Sequence, residues 1–201
     1  AGLRFLDRSA PALDKAMESL RRIAADGHRA DQVIEGVRAT FKNSVREKVP
    51  LDVNEIIQEA LALEQDDLRK HEILVHTAPT VQLPPVHGDR IQLQQVVLNL
   101  VLNGLDAMKD AVERHLLVTT ATDDESGVIV TVSDHGSGVA ERDLQRIFEP
   151  FYTTKAHGLG MGLAIARSLV ESHGGRLRVE NNKNGGATFT FTIPVAEASG
   201  D

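Results

Sequence analysis

At 201 residues, 41% hydrophobic and 25% charged, the chain is long enough for one full core plus a smaller appendage, with the composition of an ordinary soluble protein. It has no cysteine, which excludes a disulfide framework, a thiolate metal site and a cysteine nucleophile, and fits a reducing, cytoplasmic setting. The net charge of −7 divides into +2 over residues 1–47 and −9 over the rest, and with 3% aromatics this argues against nucleic acid; no run approaches the roughly 20 apolar residues of a membrane span, so no direct membrane contact is expected, although a longer parent can be anchored.

Residues 1–10 read as the end of a helix and a turn. From Pro11, small or apolar residues recur at heptad spacing (Leu13, Ala16, Leu20, Ile23, Gly27, Ala30, Ile34, Val37, Phe41), the seam of a long bundle-type helix. A lone helix of that length cannot cover its own stripe. Its partners are expected from a second chain or from residues outside this one, unless it folds back on its own domain. Asn43 to Pro50 reads as a hinge. Asp52 then caps a helix to about Lys70, with Glu55 three residues on, as a capping box requires. Glu72 to Thr77 alternates like a strand, and Pro79 to Pro85 is a turn.

Asp89 to Lys109 is the stretch around which the rest is arranged. Between Ile91 and Met108 it is apolar on nearly every side, so the helix must be buried. Gln95, Asn99 and Asn103 nevertheless recur every four residues and share one stripe. Buried amides are costly unless paired. Either they bond neighbouring backbone, or they form one wall of a nucleotide site, because an amide oxygen is a hard, neutral ligand that Mg²⁺ accepts beside phosphates.

Leu116 to Thr122 and Val128 to Ser133 are period-two strands joined as a hairpin. The next motif, Asp134-His135-Gly136-Ser137-Gly138, is either a structural turn or a place where a ligand nears the backbone, with Asp134 able to accept from an exocyclic amine. Glu141 to Ile147 reads as a short helix. From Phe148 to Gly162 the chain is an aperiodic loop in which Phe148, Phe151 and Tyr152 sit beside Pro150 and Lys155. The rings either anchor the loop on the core or form a partner surface, and Lys155 is either solvated or a phosphate contact. Gly158-Leu159-Gly160-Met161-Gly162 then runs straight into a helix, Leu163 to His173, whose free N–H groups suit an anion. It lacks the Gly-Lys-Ser/Thr of a P-loop and any surrounding βαβ unit. Arg176 to Glu180 and Ala187 to Pro194 are strands, and the last residues read as frayed. Helices and strands mix without alternating, so the fold class is α+β, a two-layer sandwich with helices on one sheet face.

With these motifs in order, residues 48–195 resemble the catalytic ATP-binding domain of sensor histidine kinases of two-component systems, in the GHKL group shared with DNA gyrase, MutL and the heat-shock ATPase chaperones. The N box is LQQVVLNLVLNGLDA, the first glycine box Asp134 to Gly138, and the F box Phe148-Glu149-Pro150-Phe151. The second glycine box is Gly158 to Gly162, and a Gly-Gly-Ala-Thr-Phe-Thr-Phe ending is centred on Thr188. The lid sequence FYTTK and GLGMGL are most like nitrogen-fixation and dicarboxylate-sensing kinases. The resemblance implies the Bergerat fold, with a mixed sheet, and ATP and Mg²⁺ as cofactors. It places Asn103, with Asn99, on the metal and Asp134 on the adenine amine, and makes residues 148–162 the ATP lid. The nucleotide would be held by Asn99, Asn103, Asp134, Gly136, Gly138, Lys155, Gly158, Leu159, Gly160, Met161, Gly162, Leu163 and Thr188, with Asn103 and Lys155 closest to the chemistry.

It also implies that residues 1–47 hold the second helix of a dimerisation and phosphoacceptor hairpin, 48–195 the catalytic domain, and 196–201 a frayed tail. The acceptor histidine is expected on a preceding helix, and residues 1–10 contain none, so the chain is not expected to phosphorylate itself. His71-Glu72 is a decoy inside the nucleotide domain; His28 reads as structural, His87, His115 and His173 sit at element ends, His135 and His157 lie in the glycine motifs and lid, and none is expected to be the acceptor. Partners implied are ATP, an acceptor-histidine helix, a response regulator receiver domain and a second copy of the full-length parent. Where gyrase-like members carry a hydrolytic Glu, this chain has Asn99, which cannot act as a base. Transfer to histidine is therefore expected over hydrolysis. The competing readings are a regulatory scaffold that only holds ATP, a gyrase-like ATPase and an anti-sigma type serine kinase.

Overall fold

The computed structural model describes residues 48–123, 125, 127–155 and 158–196, together with Lys15 and Met17. The chain divides into two compact units, residues 1–42 and 43–201. In the first, Lys15 and Met17 are helical and exposed; the rest of the heptad helix, His28, His157 and the tail after Ala196 lie outside the described residues.

The second unit opens with β1 (Val49–Leu51), α1 (Val53–Leu63), α2 (Gln65–Lys70), β2 (Leu74–Ala78) and β3 (Val86–Gly88). Then come α3 (Arg90–Ala107), β4 (His115–Asp123), β5 (Gly127–Asp134), α4 (Gly162–Ser172), β6 (Arg176–Asn181) and β7 (Ala187–Ile193). Five strands form one sheet in the order β2-β4-β5-β7-β6, and β1 pairs with β3 in a separate antiparallel ribbon. Within the large sheet β2 runs parallel to β4, and every other pairing is antiparallel. This is the mixed sheet of an α+β sandwich. Alternation drives it: Val128, Val130, Val132 of β5 and Phe189, Phe191, Ile193 of β7 face inward and are buried. The helices lie against that face. No described helix is long and apolar enough to cross a membrane.

Helix α3 lies at the centre of the helical layer. Asp89 caps it by accepting from the N–H groups of Ile91 (2.9 Å) and Gln92 (3.2 Å). Val96, Val97, Leu100 and Val101 are almost wholly buried, each contributing about 1.5–3 kcal/mol of burial. Ile91 departs from the expectation: it sits in the first turn, beyond the packed layer, and is 64% exposed.

Four other details correct the sequence reading. The helix from Asp52 breaks at Glu64, so that Leu68 reaches the core while Leu63 stays exposed. The capping box is replaced: Asp52 accepts from Asn54 N–H, but Glu55 turns to the Arg90 guanidinium, 3.2 Å away. Glu141 to Ile147 forms two 3₁₀ turns, Glu141–Asp143 and Arg146–Phe148. Pro50, assigned to a hinge, lies in β1, opposite His87 of β3.

Candidate nucleotide site

Three positions along α3 touch the three segments that the sequence singled out. Asn99, 4% exposed, faces the start of α4: a Cβ on Gly162 would lie 3.6 Å from its Oδ1. Asn103 accepts through Oδ1 from Lys155 Nζ at 3.0 Å. Gly104 lies under Asp134, where a Cβ would come within 3.4 Å of the aspartate Cβ. One helix thus gathers the amide stripe, the lysine of the aperiodic loop, the first glycine motif and the head of α4. Leu159 is exposed, Met161 is buried, and Leu163 packs on the core from the first turn of α4.

The amide stripe is a chain of contacts. Gln95 Nε2 donates to Asn99 Oδ1 at 3.1 Å, which leaves Asn99 Nδ2 buried with no hydrogen-bond partner. An unsatisfied buried N–H costs on the order of 1–3 kcal/mol. Such a group is expected where a ligand completes the bonding. Asn103 already has a cation on its carboxamide oxygen, the Lys155 ammonium. A neutral oxygen that accepts from an ammonium has the donor character a hard divalent ion requires, so these residues fit Mg²⁺. Among the described residues no cluster of three carboxylates or histidines competes for such an ion.

Across the helix, Asp134 ends β5 and is 2% exposed. Its Oδ1 accepts from Gly136 N–H (2.8 Å) and Ala187 N–H (3.3 Å), while Oδ2 accepts from no described group. Burial pushes the carboxyl above its ordinary pKa, and the two N–H groups oppose that only in part. The site therefore holds a buried carboxylate with one oxygen unpaired among the described residues.

The glycines around it are set by close approach. A Cβ on Gly136 would lie 2.5 Å from the Ala107 carbonyl oxygen, and Gly138 has φ +68 beside Asn181. Asn181 clamps the motif by accepting from Val139 N–H (2.8 Å) and donating to Val139 O (2.6 Å). Behind Asp134, Thr188 Oγ1 lies 2.5 Å from Asn182 Oδ1 and 2.8 Å from Ser133 Oγ, and Asn182 Nδ2 donates to Asp134 O at 2.9 Å. Thr188 thus reaches the site through this polar network.

In the loop, the aromatics divide. Phe148 packs against the core with Arg167 above its ring. Tyr152 donates to Asp143 Oδ1 at 2.7 Å under the Arg146 guanidinium, and the carboxylate raises the phenol's pKa. Phe151 is 72% exposed with φ +68. Two rings anchor and one projects. Gly160, also at φ +66, hydrogen-bonds Phe151 N–H through its carbonyl (3.0 Å), and a Cβ there would strike Tyr152 O at 2.5 Å. No side chain caps α4, so its first N–H groups face the cleft without one.

The described histidines are placed by structure. His71 Nδ1 lies 2.8 Å from Asp67 O at the end of α2. His173 contacts Leu169 O through Nδ1 (2.7 Å) and accepts from Asp89 N–H through Nε2 (3.0 Å), and burial lowers its pKa. His76 stacks on His115, His135 meets His115 edge-on, and His135 Nδ1 lies 3.2 Å from His115 O.

Asp106 was missed. It lies one turn beyond Asn103 and accepts from Lys155 Nζ at 3.1 Å through Oδ2, while Lys109 binds Oδ1. Burial pushes its carboxyl upward, but the two lysines outweigh this and hold it below its ordinary value. The Asn-x-x-Asp spacing was the available signal. Asn181, Asn182 and Asp143 carried none, since their partners are distant in sequence.

This cleft, with paired asparagines on a buried helix and two glycine motifs around it, defines a nucleotide-binding sandwich. The chain belongs to the family of histidine kinase-, DNA gyrase B- and HSP90-like ATPases, whose pattern matches residues 88–197. The sensor protein FixL of Bradyrhizobium diazoefficiens is 38% identical over 189 residues, 94% of this chain and 37% of FixL. This chain therefore spans little more than a third of that relative. Full-length ShkA in complex with AMPPNP superposes with a TM-score of 0.78 at 25% identity, covering 98% of this chain and 42% of ShkA. Histidine kinase ThkA in complex with the response regulator TrrA gives 0.71 at 28% identity, over 96% of this chain and 55% of ThkA.

Proposed function

We propose that this chain is the ATP-binding catalytic core of a cytoplasmic sensor histidine kinase region, transferring the γ-phosphoryl group of Mg-ATP to a histidine on a separate helical segment, for relay to an aspartate of a response regulator. The observation that carries the reading is the convergence on α3 of Asn99, Asn103, the Asp134 carboxylate and the uncapped head of α4. ShkA was solved with AMPPNP and ThkA with a response regulator, and their likeness over nearly all of this chain supports both kinds of partner here. Residues 11–47 would form the second helix of a dimerisation hairpin in a homodimeric parent, and 48–195 the catalytic domain.

In this mechanism Asp134 Oδ2 accepts from the adenine amine, while Gly136 and Gly138 let the turn after it pack closely on Ala107 and Asn181. Thr188, through Asn182 and Ser133, keeps Asp134 aimed. Gly158 to Leu163 present backbone N–H groups to the phosphates, and Lys155 offsets their charge. Asn103, with Asn99, would hold Mg²⁺, which when bound neutralises charge on the triphosphate. The acceptor imidazole nitrogen bonds the γ-phosphorus as its bond to the bridging oxygen breaks and ADP leaves. Asn99 cannot deprotonate water, so hydrolysis is disfavoured against transfer.

Calorimetric titration with Mg-ATP tests this. Asn103→Leu and Asp134→Ala should each weaken binding by about tenfold or more, the scale of one lost charge-assisted contact. Unchanged affinity in both variants would remove the reading. With an added acceptor-helix polypeptide, label from ATP should appear as acid-labile phosphohistidine; acid-stable phosphate, or free phosphate alone, would assign a different reaction.

A further inference from the structure

Asp106 is out of place beside a triphosphate. A carboxylate near phosphate oxygens is repulsive, and by electrostatics alone this position should be neutral or basic. The structure shows what offsets it. Lys155 Nζ bridges Asp106 Oδ2 (3.1 Å) and Asn103 Oδ1 (3.0 Å), and Lys109 is bound to the other oxygen of the same carboxylate. Asp106 lies one turn from Asn103 on a buried, rigid helix, whereas Lys155 comes from a loop without regular structure. A lysine on such a loop would sample many rotamers if nothing held it.

We infer that Asp106 is a positioning residue, holding the Lys155 ammonium beside the Asn103 carboxamide so that the loop's cation is aligned with the phosphates before nucleotide arrives. The assignment rests on the ATP-binding reading. Lys109 occupies Oδ1 and leaves Oδ2 to Lys155, so the carboxylate keeps one cation on each oxygen. The ion pair itself is half-exposed and contributes little to stability. Its effect is on where the charge sits.

A double-substitution cycle read by ATP affinity separates this role from a structural one, because the inference predicts a change of sign. In the parent, Asp106→Asn should weaken Mg-ATP binding about threefold to fivefold, the scale of one ion pair. In a Lys155→Met background the same substitution should tighten it about twofold, because only the repulsion is then removed. Asp106→Glu should restore most of the parent affinity. The cycle is repeated with Lys109→Met, so that a released second ammonium cannot take over. The sign change in either background supports the inference. Equal effects in the presence and absence of Lys155, or no effect of Asp106→Asn in either background, overturn it. If Asp134→Ala weakens ATP binding while the cycle is additive, only the role of Asp106 falls. Absence of ATP binding by the parent removes the functional reading and this one together.

Discussion

Around Asp134 the polar groups other than its own Oδ2 are tied to one another, whereas across the cleft several are left waiting. On the first side Oδ1 takes two backbone N–H groups, the Asp134 carbonyl takes Asn182, and Asn182 is held in turn by Thr188. On the second, Asn99 Nδ2 has no partner, α4 has no capping side chain, and Asn103 meets only the end of a loop lysine. The difference teaches how one site divides its labour. On the proposed reading, recognition of a planar base would reward groups fixed in advance. On the same reading, a charged chain of phosphates would be met by groups left unsatisfied beforehand, and the cost of doing so is kept to a few atoms.

The contrast is broken most forcefully at the glycines. Gly186 has φ +89, and a Cβ there would lie 1.9 Å from Asp134 O. Gly186→Ala should lower stability by about 3 kcal/mol or more, because both the backbone conformation and the clash are unfavourable. Gly158→Ala, on the loop side, meets only side-chain atoms of Thr153 and Lys155 and should change stability by no more than about 0.5 kcal/mol. Denaturant midpoints measure both, and equal losses would erase the distinction.

Asp134→Asn sharpens it. The amide oxygen can keep the bonds from Gly136 and Ala187 while the other position becomes a donor that cannot accept from adenine. The folded carboxyl has a raised pKa, so the native state binds its proton more readily than the unfolded chain does. This group's contribution is therefore fully present below the ordinary carboxylate range and lost as pH rises through the raised value. At pH 7 the neutral variant should be at least as heat-stable as the parent, yet bind ATP about tenfold more weakly. Thermal melts and titrations on one preparation check both halves.

The smallest effect is expected far from the phosphates. His173 is buried as a neutral ring with a lowered pKa, chiefly through desolvation. Its stabilising contribution is fully present above the ordinary histidine range and lost as pH falls toward the folded value. The parent should lose melting temperature on going from pH 7 to 5. His173→Gln should flatten that part of the slope, at a cost of about 1 kcal/mol at pH 7.

Much of this architecture was legible beforehand, for identifiable reasons. Helix α3 announces itself through a stretch that is apolar on nearly every side, and the β4–β5 hairpin through alternation on both sides of a short turn. The amides of Asn99 and Asn103 stood out because they violate that apolar pattern. What escaped was set by partners distant in sequence. Strands β1 and β3 have three residues each and are fixed by pairing with one another, β3 also bridging to Val195. Glu55 was drawn from its cap by Arg90, 35 residues away, and Asn182 is fixed by Asp134, 48 residues away. Asp106 was readable by spacing, three residues after Asn103, but its partner Lys155 is 49 residues away.

One tie described above has a mechanical meaning. His173 at the end of α4 accepts from the backbone of Asp89 at the start of α3, and Lys48 Nζ grips the neighbouring Ser172 carbonyl at 2.7 Å. The helix is therefore fastened like a cantilever, bolted at its tail and unclamped at its head. The tail of α4 is thus joined to the start of α3 and to the residue preceding β1, while its head carries no capping side chain.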